Sequence, residues 1–216
     1  NTMNQIIQDK MKKEVMVVIN TALFSNTPRE SKVYTSDEAD FEKQILENYE
    51  FMVRGEAEEN RNYKQPIPYS IVLSEKNEVF VYIRGGADSA AGDTRLHEKL
   101  SIGVGWHLER EEEGLKNPLK DGLVRELEEE VGLKNENVTD IFPIWYINDD
   151  RNDVGEVHIG VSYLVKTKNF SPIMEDGELA EWEFMSYDVL MQLVKSGKYN
   201  VETWTELLLP VLKEYI

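Results

Sequence analysis

Residues Arg125–Leu133 read RELEEEVGL. At 100° per residue on a helix, Leu127 and Val131 fall with Leu123 and Val124 on one side, which predicts the face turned to the core. Glu126, Glu129 and Glu130 fall on an adjacent side, within about 100° of one another. The i, i+3, i+4 spacing gathers three carboxylates on one turn. Without a counter-ion, each such pair repels by roughly 0.2–0.5 kcal/mol. A hard divalent cation reverses the sign of that interaction, and magnesium takes oxygen ligands and keeps several waters. Arg125, just ahead of the cluster, is suited to orient a carboxylate through a forked hydrogen bond.

The flanks agree with a helix. Asn117 suits the N-cap, Pro118 the first helical position and Gly132 the C′ position. The helix is therefore predicted over Pro118–Val131. In a chain with 41 Asp and Glu against 24 Lys and Arg, an isolated ExxEE is more often a solvated face. The longer pattern shifts that balance. Arg-Glu-apolar-any-Glu-Glu-any-Gly-apolar sets seven positions, and RELEEEVGL meets all seven.

Outside this helix the chain alternates between helical and strand-like segments. Met3–Lys12 and the stretch from Ser36 to Tyr49 suggest helices, with Ser36 as the start of the second. Glu14–Asn20 is rich in Val and Ile and predicts a strand. Val53–Pro68 is polar and predicted irregular. Tyr69–Leu73 and Glu78–Arg84 flank the turn signal Glu75-Lys76-Asn77, so a hairpin is expected there. Gly85–Asp93 suggests a loop, and Leu100–Leu108, with Gly103 and Gly105, an extended run with close backbone approach. Strands are expected at Asp140–Ile147, Glu156–Lys166 and Glu181–Met185. Helices follow at Tyr187–Lys195 and Val201–Tyr215, the latter perturbed by Pro210. Mixing of this kind predicts an α/β domain with a mixed sheet. No repeat or long linker divides residues 1–216, so a single domain is expected.

Composition narrows the function classes. The 216 residues include no cysteine, which excludes disulfides, thiolate metal sites and cysteine nucleophiles. The net charge of −17 repels phosphate backbones and anionic membrane surfaces, so neither nucleic acid nor membrane is expected as a partner. Carboxylate-bound cations would still attract a small phosphorylated substrate. The longest apolar stretch, Val15–Phe24, is too short to span a bilayer, and no secretory pattern precedes it. A cytoplasmic location is the default expectation.

RELEEEVGL resembles the second half of the Nudix box, GX5EX7REUXEEXGU with U apolar. KQPIPYSIVL, VFVYIRGG, RLHEKLSIGVGWHLE and NDDRNDVGEVHIGVSYLV resemble a branch of bacterial Nudix proteins described as predicted phosphoesterases. The resemblance implies a Nudix-like α/β/α sandwich with a mixed β-sheet. The box-like region is 105–133; segment 1–50 and the C-terminal helices 187–216 are additions to the core. It implies a hydrolase that cleaves a phosphoanhydride in a small-molecule, nucleoside-diphosphate-linked or related diphosphate substrate. It implies Mg²⁺ or Mn²⁺ held by Glu126, Glu129 and Glu130, with Glu129, Glu130 and Glu178 as catalytic carboxylates and Glu181 as the second choice outside the box. Arg54, Arg84, Arg95 and His107 are the expected substrate contacts, Arg125 and Gly132 the orienting and structural residues. A homodimer is common in such a family. The alternative is a nucleotide-binding sensor domain of the same fold with little or no hydrolysis. The first half of the box departs from the pattern: Trp106 stands where its leading Gly is expected, and a longer loop makes Glu112 the counterpart of the upstream Glu. His158, on a strand, is expected to be a packed, hydrogen-bonded histidine.

Overall fold

The computed structural model describes residues 2–84, 99–173 and 179–216. In chain order the first half contains α1 (Thr2–Lys12), β1 (Glu14–Ile19), α2 (Asn20–Leu23), β2 (Lys32–Thr35), α3 (Phe41–Asn48), β3 (Glu50–Val53), α4 (Arg54–Ala57), β4 (Tyr63–Leu73), β5 (Val79–Arg84), β6 (Lys99–Ser101) and β7 (Gly103–Gly105). The second half contains α5 (Pro118–Val131), β8 (Val138–Asn148), α6 (Asp153–Glu156), β9 (His158–Thr167), β10 (Leu179–Met185), α7 (Tyr187–Lys195), β11 (Asn200–Val201) and α8 (Thr203–Leu212). The architecture is α/β with a mixed sheet, as the sequence leads one to expect. Antiparallel pairs dominate, and β11 runs parallel to β6. Two compact units are formed: Asn1–Tyr69 with Gly105–Leu123 and Pro143–Ser162, and Ser70–Val104 with Val124–Phe142 and Tyr163–Ile216.

In the first unit, β1 lies antiparallel to β3 and to the start of β4, with Val15 opposite Met52 and Val18 opposite Lys64. Its central Val15–Val18 run is fully buried, which accounts for four consecutive apolar residues without polar alternation. Phe41 is completely buried and meets Phe24, Tyr34 and Tyr146 edge to face at centroid distances of 5.5, 5.0 and 5.3 Å. That ring geometry suits the aromatic quadrupoles and ties α3 to the antiparallel pair β2–β8.

Two expectations need correction here. The helix expected from Ser36 begins at Phe41. Ser36 still donates its N–H to the Ile144 carbonyl, and the Glu38 carboxylate accepts from the Thr35 N–H at 2.8 Å and pairs with Lys32. Those bonds hold residues 35–38 in a turn beside the strand, so the Ser-x-Glu signal serves the turn. The stretch Val53–Pro68, expected to be irregular, supplies α4 and the first half of β4. The polar composition behind that expectation does not prevent a strand, and β4 also accommodates Pro66 and Pro68. Gln65 donates its N–H to Val157 at 2.8 Å. Neighbouring residues point their N–H groups to opposite edges, so the missing donors at Pro66 and Pro68 fall on the edge away from that bond.

In the second unit, the expected hairpin joins β4 to β5. Asn77 takes φ 59°, and Ser74 N–H bonds to Glu78 O at 2.9 Å. β10 runs antiparallel along β5, with Trp182 opposite Tyr82 and Phe184 opposite Phe80. Ser186 caps α7 by accepting from the Val189 N–H. α8 continues through Pro210 to Leu212, then gives way to a 3₁₀ turn at Lys213–Tyr215.

α5 has the predicted bounds. The Asn117 side chain accepts from the Lys120 N–H at 3.1 Å, an N-cap bond. At the other end Gly132 takes φ +72° and its N–H bonds to Glu128 O at 3.0 Å, the five-to-one bond of a left-handed glycine ending, while Leu133 N–H reaches back to Leu127 O. A Cβ at Gly132 would also lie 3.2 Å from Ile173 Cβ. Gly132→Ala is expected to destabilise the protein by about 1–2 kcal/mol, the scale of a left-handed non-glycine residue. Denaturant unfolding measures it, and an unchanged midpoint would contradict this helix ending.

Candidate functional site

α5 presents the predicted division of faces. Leu119, Leu123, Leu127 and Val131 are buried. Val124, expected among them, is half-buried at the flank. Glu126 is half-buried, whereas Glu129 and Glu130 are exposed. Arg125 lies 3.6 Å from Glu126 Oε1 and 3.9 Å from Glu129 Oε1. These are ion-pair distances, longer than the forked hydrogen bond expected. The last turn of α5 holds acidic residues and no basic one. A helix C-terminus carries partial negative charge, so Glu128–Glu130 sit where charge is least welcome. All three side chains offer oxygen donors, the ligand type that a hard divalent cation takes.

The box-like segment ahead of α5 lies in the first unit. Gly105 ends β7, and a Cβ there would stand 3.1 Å from both Ile67 Cγ2 and Pro68 O. The close backbone approach expected at this glycine is therefore present. Trp106 is half-buried, and its Nε1 is buried with no hydrogen-bond partner among the described residues. Glu112 lies in a 3₁₀ turn, Arg110–Glu112, and is 1% exposed. Its carboxyl packs against Gly122, where a Cβ would come within 3.5 Å of it.

His107 follows β7 and meets two residues from elsewhere in the first unit. Its Nε2 lies 3.1 Å from His158 Nε2 and 3.7 Å from Glu58 Oε1. His158 Nε2 is 3.8 Å from Glu58 Oε2, and Arg54 Nε donates to Glu58 Oε1 at 3.2 Å. His158 Nδ1 bonds to the Val154 carbonyl at 2.6 Å. Burial, with the charges of Arg54 and His158, pushes the His107 imidazole down to about 3; burial also lowers His158. His107 was a sequence candidate. His158 was expected to be a packed, hydrogen-bonded histidine, which its bond to Val154 matches, while its approach to His107 and the part of Glu58 were missed. These residues come from three separate segments, and no local pattern links them.

The other sequence candidates are placed as follows. Arg84 donates to the Tyr82 hydroxyl at 3.2 Å and pairs with Glu202 at 3.3 Å. Arg54 is held by Glu58. Arg95 and Glu178 lie outside the described residues. Glu181 stands on β10 beside Ile83.

A buried ion pair supports the segment that leads into His158. Lys64 is 0% exposed. Its ammonium donates to Asp150 Oδ1, Gly155 O and His158 O at 2.8, 2.7 and 3.1 Å, which fills all three donors. Gly155 closes against Asp149 O, which leaves no room for a Cβ. Burial would raise the Asp150 carboxyl, but hydrogen bonds from Arg29 and Lys64 outweigh it and hold the group well below the usual range.

Residues 111–205 match the model of the NUDIX domain, a span that takes in all of α5 and both its caps. Protein YmaB of Bacillus subtilis (strain 168) is 37% identical over 189 residues, which is 84% of this chain and 87% of that protein. Among solved structures, Tm1382, assigned to the Nudix hydrolases, superposes with TM-score 0.75 at 23% identity over 94% of this chain and 100% of its own. The NUDIX domain of Shewanella oneidensis NrtR, complexed with ADP-ribose, gives TM-score 0.51 at 10% identity over 70% and 88%. The two structural likenesses speak for the fold.

Asp150→Asn would leave the fully buried Lys64 ammonium without its counter-charge. A loss of about 3 kcal/mol is expected, on the scale of breaking one side of a buried pair. The sign of the pH effect follows from the lowered carboxyl. Its contribution is complete above the unfolded value near about 4 and is lost as pH falls through the lower folded value. Unfolding measured against pH should show the acid slope below about pH 4 diminished in Asp150→Asn; an equal slope would contradict the assignment.

Proposed function

This chain belongs to the Nudix family and is by that membership a hydrolase of acid anhydrides, and from this premise we propose that it cleaves the phosphoanhydride of a nucleoside-diphosphate-linked or related diphosphate substrate. The observation that carries the proposal is the carboxylate face of α5. Glu126, Glu129 and Glu130 stand at i, i+3 and i+4 on an exposed helix end without a basic residue in its last turn. Such an arrangement opposes both helix dipole and like-charge repulsion, and local rules of this kind are characteristically broken at functional sites.

In this proposal the three carboxylates hold Mg²⁺ or Mn²⁺, which when bound neutralises phosphate charge and makes a nearby water more acidic. Arg125 keeps Glu126 and Glu129 in place through its ion pairs. Glu129 or Glu130 accepts the proton of the attacking water, and Glu178 is the proposed carboxylate outside the helix. Arg54, Arg84, Arg95 and His107 remain the proposed substrate contacts; Arg54 and Arg84 would divide their N–H donors between a phosphate and their present partners, Glu58 and Glu202. The NrtR domain supports the substrate class in one respect: a nucleoside diphosphate sugar is held on this fold. A cytoplasmic setting and a homodimer are part of the same proposal.

The test is a panel of nucleotide sugars, dinucleoside polyphosphates and nucleoside triphosphates, incubated with Mg²⁺ or Mn²⁺ and assayed for phosphate-bearing products. Hydrolysis of at least one member is expected. Glu129→Gln and Glu130→Gln should lower that rate on the order of a hundredfold or more, the scale of losing a few kcal/mol of charge stabilisation. Equal turnover by both variants would overturn the metal assignment. Tight binding of a panel member without turnover would replace the hydrolase with a nucleotide sensor.

A further inference from the structure

The Glu58–His107–His158 cluster in the first unit stands apart in composition from the all-oxygen face of α5. We propose that these three residues form a site for a borderline-soft divalent metal of the zinc class. The ligand atoms lie within 4.8 Å of one another. Two nitrogens each about 2.0–2.1 Å from a tetrahedral zinc ion lie roughly 3.3 Å apart. The observed Nε2–Nε2 distance is 3.1 Å, and the two nitrogen-to-carboxylate distances are 3.7 and 3.8 Å. A shift of a few tenths of an ångström closes all three onto one centre.

The surroundings support this donor set. The Val154 carbonyl takes the His158 Nδ1 proton at 2.6 Å, which leaves the Nε2 lone pair directed at the cluster. That bond on the second ring nitrogen is the usual orienting contact of a metal-bound histidine. Arg54 holds Glu58 Oε1 and leaves Oε2 as the oxygen nearer His158. Side-chain exposures of 25% for Glu58 and 19% for His107 give an ion a route from solvent. The ligands follow α4, follow β7 and open β9. A bound ion therefore links three segments distant in sequence and leaves a fourth coordination position for water or another ligand.

A competing use of the same geometry is an N–H···N hydrogen bond from His107 to His158. The test uses chain carrying Glu126→Gln, Glu129→Gln and Glu130→Gln, stripped with chelator, so that binding by α5 does not contribute. After incubation with Zn²⁺ and desalting, metal is counted by atomic emission. About one zinc per chain is expected, with a rise in melting temperature on Zn²⁺ addition. His107→Ala or His158→Ala added to this background should lose both. Co²⁺ gives a reading that needs no histidine variant: strong visible absorption for four-coordinate nitrogen and oxygen ligation, weak absorption for six-coordinate surface binding. Zinc retained undiminished by the histidine variants, no zinc in the triple-Gln background, or a weak six-coordinate Co²⁺ spectrum would each overturn the site and leave the hydrogen bond as the role of the pair.

Discussion

Crowding of negative charge at the C-terminal end of α5 is the constraint on which the proposed function turns. Each i, i+3 or i, i+4 carboxylate pair costs a few tenths of a kcal/mol, and the helix dipole adds to that cost. The helix persists because its other side is secured. Leu119, Leu123, Leu127 and Val131 are buried, Asn117 satisfies a free N–H at the start, and Gly132 with Leu133 satisfies carbonyls at the end. Burial of four large apolar side chains, each contributing about 1.5–3 kcal/mol, outweighs the repulsion on the exposed side. The apolar face and the two caps supply the stability, and the proposed function gives the acidic face to a cation.

The first unit solves a different electrostatic problem. Lys64 is fully buried as an ammonium, and three acceptors arranged by the 149–158 segment surround it. Asp150 is shared with Arg29 and lowers the cost of two nearby positive charges. The tight passage at Gly155 brings the Gly155 and His158 carbonyls to the ammonium. His158 thus has its backbone fixed by Lys64 and its ring fixed by Val154. α5 carries hard oxygen donors, and two imidazole nitrogens and one carboxylate gather at His107, His158 and Glu58. The two donor sets favour different cations, by the preference of magnesium for oxygen and of zinc for nitrogen.

Features set by neighbouring residues were legible in the sequence. Asn117-Pro118 and Gly132 delimited α5 to the residue, and Glu75-Lys76-Asn77 marked the hairpin, because caps and turns depend on the backbone within a few positions. β2 and β3, four residues each, escaped because such short strands owe their existence to partners far along the chain. The polar composition of Val53–Pro68 hid the start of β4, since burial of that run depends on partners distant in sequence. Ser36 misled because Glu38 binds the Thr35 N–H and Lys32 in a turn. The meeting of His107 with His158, 51 residues apart, is a product of the fold. Side-chain exposure was legible only in part: Val124 shares the apolar arc of α5 but stands at its edge.

The central claim is that the acidic face of α5 holds a hard divalent cation. Electron paramagnetic resonance of free Mn²⁺, titrated with protein and then with competing Mg²⁺, tests it most directly. The account predicts that the native chain removes Mn²⁺ from solution and that Mg²⁺ displaces it. A folded Glu126→Gln, Glu129→Gln, Glu130→Gln chain should leave the free-ion signal unchanged through the Mg²⁺-displaceable range. Mn²⁺ binding by that triple variant with the native affinity and the native response to Mg²⁺ would contradict the account.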